Sequence, residues 1–227
     1  MGGFFVTVKT QSTKKGDKVM GLKAKKPPGS NEDFDPIEAG VHQAICIRYY
    51  DLGTQYMEKF ETSARKVLLM WEVPDSRIQI ENKDLPRAIS KEYTLSLHRK
   101  ANLRTDLESW RGKGFTDNEL EGFDLDSILG ANCMLNIIHK TNDRGTFANI
   151  ASIMPLMKTM KKQEPENPIV CFSFDNPEIE IPENTPEWIE TKIKNSEEWR
   201  TFNDYRYSEP PQEPDQEPPL PDDEVPF

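Results

Sequence analysis

A mainly β body with one inserted helical region, framed by a basic arm and an acidic tail, is the fold class this sequence predicts. Three observations predict it. Between residues 40 and 155 the chain holds strand-length runs of alternating or concentrated apolar side chains, the clearest being residues 41–48 (VHQAICIR). One stretch among them, residues 103–110, switches to helical spacing. Both ends abandon apolar periodicity: residues 1–36 are rich in Lys, Gly and Pro, while residues 208–227 hold seven acids, seven prolines and no Lys or Arg. Segments of that kind bury too little apolar surface to offset their ordering entropy, so both ends are expected to be disordered.

The elements are justified in chain order. Over residues 1–31 of the arm, Lys9, Lys14, Lys15, Lys18, Lys23, Lys25 and Lys26 face a single acid, Asp17, and residues 4–7 alone have strand character. Pro27-Pro28-Gly29-Ser30-Asn31 breaks the chain before the body. The first strand sets Val41, Gln43, Ile45 and Ile47 against His42, Ala44, Cys46 and Arg48, and Asp51-Leu52-Gly53 is expected to turn it. The second is residues 66–73 (KVLLMWEV), stopped by Pro74-Asp75, and the third is residues 88–97 (AISKEYTLSL). Leu103, Leu107 and Trp110 then form one helical stripe, closed by Gly112 and Gly114. Thr116 and Glu119 have the spacing of a capping box, and residues 125–129 read as a further turn. Strands at 132–139 (NCMLNIIH) and 147–154 flank a hairpin turn around Asn142-Asp143-Arg144-Gly145. Beyond Pro155, residues 169–174 read as an added strand, 188–199 as one short amphipathic helix, and 200–227 as unstructured.

Strand, strand, strand, helix, strand, strand is the element order of an OB-fold, a five-stranded Greek-key barrel, although other small barrels share it. The expected organisation is a basic arm at 1–36, an OB-like domain at 37–160, an acidic extension at 161–207 and a tail at 208–227. Charge divides the same way. The total is 29 basic against 39 acidic residues, net −10, yet from Glu164 onward there are 18 acids and four bases. Residues 1–163 therefore hold 25 bases against 21 acids. A basic front with an acidic back suits a polyanion binder whose tail competes for its own groove, or a chain kept soluble by two charged ends.

Other classes are disfavoured. Cys46, Cys133 and Cys171 are widely spaced with no C-x-x-C, and His42, His98 and His139 are isolated, so no disulfide framework, metal or cofactor is expected. Phosphate-loop, dinucleotide-loop and G-x-S-x-G motifs are absent, and Glu72 with Asp75 is the only strand-end acid pair worth testing. A non-enzymatic protein without a small-molecule substrate is the expectation. No apolar run approaches the ~18 residues of a membrane helix, and no secretory h-region is read, so the cytoplasm is the expected location and no membrane partner is expected.

The tip of the tail, Asp222-Asp223-Glu224-Val225-Pro226-Phe227, runs three carboxylates into an apolar hook. It resembles the partner-recruiting tip of bacterial and phage single-stranded DNA-binding proteins, which carry a few acids followed by a short apolar-Pro-Phe step. The resemblance implies an OB-fold body, single-stranded DNA as ligand, and replication or recombination enzymes as partners of residues 222–227. It rests on the tip and the strand order alone. The long segment between strands one and two, the 88–130 region and the acidic extension depart from the compact bacterial proteins.

Single strands are held by cations on phosphates and by aromatic faces on bases. The body interleaves both along its length. Arg48, Tyr49 and Tyr50 end the first strand, with Tyr56, Lys59 and Phe60 in the loop after it. Arg65 and Lys66 border the second strand. Arg77, Arg87, Lys91 and Tyr93 cover the next loop and third strand. Arg99, Lys100 and Arg104 lead into the helix, and Lys140, Arg144 and Phe147 belong to the last hairpin. By analogy with OB-folds the strand 2–3 face and the first and last hairpins are the expected groove. Trp71 and Trp110 are read as core; Tyr49, Tyr50 and Tyr56 suit either role. A second reading is an adaptor or scaffold whose barrel binds protein. The groove reading requires Tyr49, Tyr56, Lys59, Arg65 and Lys140 to line one surface.

Overall fold

The computed structural model describes residues 35–208, apart from residues 81, 144, 177 and 178 and the side chains of residues 59 and 205–208. The arm, Arg144 and the tail with its 222–227 tip lie outside the described residues. Backbone contacts divide the chain into Met1–Asp35 and Pro36–Phe227, and the strands and helices of the described residues belong to the second unit.

The architecture is mainly β. Five strands run antiparallel in the order β3-β2-β1-β4-β5: β1 Gly40–Met57, β2 Thr62–Ile80, β3 Lys83–Thr94, β4 Asn132–Asn142 and β5 Gly145–Pro155. A short sixth strand, β6 Val170–Phe172, runs parallel to β1 at Arg48, Tyr49 and Tyr50. It takes up the edge of β1 beyond Ile45, where the pairing with β4 ends. The sheet is open: β3 and β5 approach each other, but no ladder joins them among the described residues.

Every strand expected between residues 40 and 174 is present, and most are longer than expected. The Asp51-Leu52-Gly53 turn is a bulge inside β1. Pairing with β2 continues on both sides of it, Asp51 Oδ1 accepts the Gly53 N–H at 2.9 Å, and Gly53 takes φ +65°. A glycine that reaches the left-handed region lets a strand bulge and continue. Pro74 likewise does not end β2, because it falls in the register shift between Val73 and Arg77, where its missing N–H removes no ladder bond.

Two apolar layers sandwich β1 and β2. On one face Ala44, Cys46, Leu69, Trp71, Leu135 and Ile153 meet the helix α1, Asn102–Arg111, through Leu103, Leu107 and Trp110. The rings of Trp71 and Trp110 lie 6.0 Å apart. The expected capping box opens α2, Asp117–Glu121, with Glu119 N–H donating to Thr116 Oγ1 at 3.3 Å; a 3-10 turn follows at Leu125–Ile128. On the other face Tyr50, Leu52 and Leu68 pack against Phe172 and against Ile189 and Ile193 of α3, Glu187–Lys194. Both faces being covered, residues 43–47 of β1 are buried without alternation.

The helix expected at 188–199 is two. Ser196, fully buried, donates its hydroxyl to Ile193 O at 2.7 Å and accepts Trp199 N–H at 3.2 Å, which ends α3 and starts α4, Glu197–Ser208. Serine prefers helix N-caps to helix interiors. Residues 200–208, expected to be unstructured, belong to α4.

Candidate nucleic-acid interface

The outer face of β1 and β2, next to the strand 2–3 face expected as the groove, is covered by the chain's own acidic extension, residues 161–175, and polar side chains of the sheet hold it there. Gln43 Nε2 donates to Lys161 O, and Asn132 exchanges two bonds with the backbone of Gln163, all at 2.9–3.0 Å. The buried Glu72 carboxylate accepts the N–H groups of Glu166 and Asn167 at 3.0 and 2.7 Å and Asn167 Nδ2 at 2.7 Å. Asp51, also buried, accepts from Arg65 and, at 3.4 Å, from Phe174 N–H. Glu72, carried from the sequence as a candidate strand-end acid, is therefore an anchor for this segment.

That covering changes the standing of most candidate residues. Tyr49, Tyr50 and Tyr93 are corrections: their rings are buried in the two cores, closed to stacking. The Tyr49 hydroxyl donates to Asp126 at 2.5 Å and the Tyr93 hydroxyl to Asp106 at 2.8 Å. Burial, reinforced by those carboxylates, pushes both phenols above their usual range. Arg65 bonds Asp51 and Asp175, and its guanidinium is held charged chiefly by the Asp51 bond. Arg77 bonds Asp84 and Glu166, which keeps the Glu166 carboxyl below its usual range. Lys91 pairs with Asp106 at 2.7 Å and Arg104 with Glu108 at 2.8 Å, while Lys66 Nζ bonds Thr94 Oγ1. Sequence offers these cations but cannot place their partners, two of which, Asp175 and Glu166, lie about a hundred positions away.

The remaining candidates separate into different places. Arg48 and Arg87 are half-buried, on β1 and β3. Arg99 and Lys100 are exposed between β3 and α1. Tyr56 and Phe60 are exposed at 63% and 66% at the β1–β2 hairpin, where the side chain of Lys59 is not described. Lys140 lies on β4, which pairs with the opposite end of β1. Tyr49, Tyr56, Arg65 and Lys140 thus do not line one groove.

One candidate pair is brought together. Lys140 and Phe147 face each other across the β4–β5 ladder, on the side of the hairpin opposite the core residues Ile137 and Ile150. Directly paired residues hold their Cβ atoms ~4.5–5.5 Å apart. The next pair on that side is Ile138 and Asn149, then Asn136, which meets Val41 of β1. Val41, Ile138 and Phe147 are exposed at 57, 37 and 45%. Toward the other end, beside Gln43 and Met134, runs the segment carrying exposed Lys158, Lys161 and Lys162. From Met134 to Lys140 the strip is about 20 Å long at ~3.3 Å per residue, and none of its ladder residues is acidic. The three lysines were missed from sequence, although three cations within five residues soon after the strand predicted at 147–154 is a readable signal.

No group of His, Cys, Asp and Glu among the described residues could hold a metal ion. No described helix is long and apolar enough to cross a membrane. No protein-family model matches this chain, and no curated protein matches it.

Proposed function

We propose that this chain is a non-enzymatic protein that binds single-stranded DNA without sequence preference, on an OB-like body opened between its third and fifth strands. The strip along the β4–β5 hairpin carries the reading. It sets an aromatic face beside Lys140, with three more lysines toward its other end and no acid among its ladder residues, which is the pairing of stacking and charge that single strands require. The sheet order, with α1 between β3 and β4, supports the OB-like assignment. The site uses the last hairpin of the OB analogy rather than the strand 2–3 face, where Tyr93 is buried and Arg77 and Lys91 are paired with acids. In this reading the protein works in the cytoplasm of its host cell.

Fluorescence anisotropy with oligo(dT) and with duplex DNA tests it. Binding is expected to favour the single strand and to weaken with salt, by about −0.7 in log–log slope per phosphate neutralised. Phe147→Ala costs about 1–3 kcal/mol if its ring stacks on a base, and Lys140→Ala removes about one phosphate's share of the slope. A flat salt response, or equal affinity for duplex, defeats the proposal and favours an adaptor that uses exposed Val41, Ile138 and Phe147 to hold protein.

In the same reading residues 222–227 recruit replication or recombination enzymes: Phe227 enters an apolar pocket while Asp222, Asp223 and Glu224 steer the approach toward cations. Phe227→Ala is expected to abolish retrieval of those enzymes from cell lysate and to leave DNA affinity unchanged. Retrieval of the same partners by both proteins refutes the role of the tip.

A further inference from the structure

β1 is buried from residue 43 to 47, and the polar side chain in that run is Gln43, 4% exposed. Burying an amide costs free energy unless its hydrogen bonds are made. Gln43 Nε2 donates to Asn132 Oδ1 and to Lys161 O, both at 2.9 Å. Asn132 in turn donates through Nδ2 to Gln163 O at 2.9 Å and accepts Gln163 N–H at 3.0 Å. Turning either amide over would set donor against donor or acceptor against acceptor, so the bonds fix both orientations. Two side chains 89 positions apart thus form one network on the sheet, and its far side is the backbone of residues 161–163.

Those bonds fall on either side of one residue. Lys161 O belongs to the peptide group before Lys162, and Gln163 N–H to the peptide group after it. Peptide groups are planar, so both planes that meet at the Lys162 Cα are held. The Lys162 side chain remains exposed. Lys161 shares only the first of these peptide groups, and Lys158 lies in the turn that Met160 N–H closes on Met157 O at 2.9 Å. Gln43 pairs with Met134 on β4, at the end of the strip opposite Lys140 and Phe147. Of the acids that follow, Glu166 is taken by Arg77, while Glu164 is exposed two residues beyond Lys162.

We infer that Lys162 binds a phosphate of the single strand at this end of the strip, and that Gln43 and Asn132 are the positioning residues that preset it. The inference rests on the DNA-binding reading and assigns roles within it. A lysine that takes up a phosphate loses conformational freedom, and a backbone fixed beforehand leaves only its side chain to be ordered. The amide pair touches no ligand and carries no charge. It acts by lowering the ordering cost of a cation that does both.

The test is a cycle of full-length proteins, wild type, Gln43→Leu, Lys162→Ala and the double variant, titrated with oligo(dT) across a range of salt concentrations. Lys162→Ala is expected to flatten the log–log slope by about 0.7, one phosphate's share, and so to weaken binding about fivefold near ~0.1 M salt. Lys158→Ala is expected to change slope and affinity less. Gln43→Leu is expected to weaken binding about threefold, the cost of ordering one freed side chain, and to weaken it no further in the Lys162→Ala background. A general loss of stability would persist in that background. Hydrogen exchange reports the holding itself: the Gln163 amide is expected to be protected in wild type and in Lys162→Ala and to lose protection in Gln43→Leu. If Gln43→Leu does not fold, Asn132→Ala, which removes both bonds to Gln163, takes its place in the cycle. Equal effects of Lys158→Ala and Lys162→Ala, an undiminished Gln43→Leu effect without Lys162, or a freely exchanging Gln163 amide in wild type overturns the inference and leaves the DNA reading standing. A wild type that does not bind oligo(dT) removes the DNA reading, and the phosphate role of Lys162 with it.

Discussion

Glu72→Ala lowers the free energy of unfolding by roughly 3–4 kcal/mol, because three N–H donors lose their acceptor at ~1–3 kcal/mol each and water cannot easily replace it. The carboxylate is fully buried, and it accepts the backbone of Glu166 and Asn167 and the Asn167 amide. The loss is expected to be local before it is global, since the anchor holds one segment. Hydrogen exchange should show the Glu166 and Asn167 amides losing protection well below the denaturant concentration that unfolds the sheet. Glu72→Gln keeps the shape but turns one acceptor into a donor that faces other donors, so it recovers only part of the loss. Urea titration of the three proteins measures the series. A loss under about 1 kcal/mol, with both amides still protected, contradicts the anchoring role.

Gly53→Ala costs about 3 kcal/mol or more, for two reasons that add at one atom. Gly53 has φ +65°, where a Cβ costs roughly 1–2 kcal/mol. That Cβ would also stand 2.5 Å from Ser196 Cβ and 2.5 Å from Glu198 Oε2. Ser196 is buried in the junction of α3 and α4, and Glu198 accepts Thr54 N–H at 2.6 Å and Thr54 Oγ1 at 2.7 Å, so neither is free to step aside. Burial raises the Glu198 carboxyl, but the Thr54 bonds outweigh it and hold the group below its usual range. Gly112 supplies the control. It has nearly the same φ, +66°, but its nearest neighbour is Pro155 Cγ at 3.5 Å, so Gly112→Ala pays only the backbone strain. At ~2–4 °C per kcal/mol for a chain of this size, the two melting temperatures should separate by several degrees. Equal effects at the two sites would mean that α3–α4 is not seated on the bulge.

The two variants also probe the feature least visible beforehand, the packing of the C-terminal third on the sheet. Composition marks residues 164–207 as acidic and Pro-rich, and it invites a reading as solvated surface. The acids Glu166 and Asp175 instead bond Arg77 and Arg65, and so pair two of the cations that the sequence offers to DNA.

By itself the sequence determined the centre of each strand, the stripe and glycine closure of α1, the Thr116–Glu119 cap and the core roles of Trp71 and Trp110. Each depends on spacing within one segment, where side-chain period follows backbone geometry. Tertiary structure alone decided that Asp51-Leu52-Gly53 bulges rather than turns, because β2 pairs on both sides of it. It decided that Tyr49, Tyr50 and Tyr93 are interior, since an amphipathic ring fits either environment until a neighbour covers it. It also decided which cations remain exposed. A charge is read from one residue, but its pairing depends on which distant segment the fold brings within ~4 Å, and that distance is not a property of local sequence.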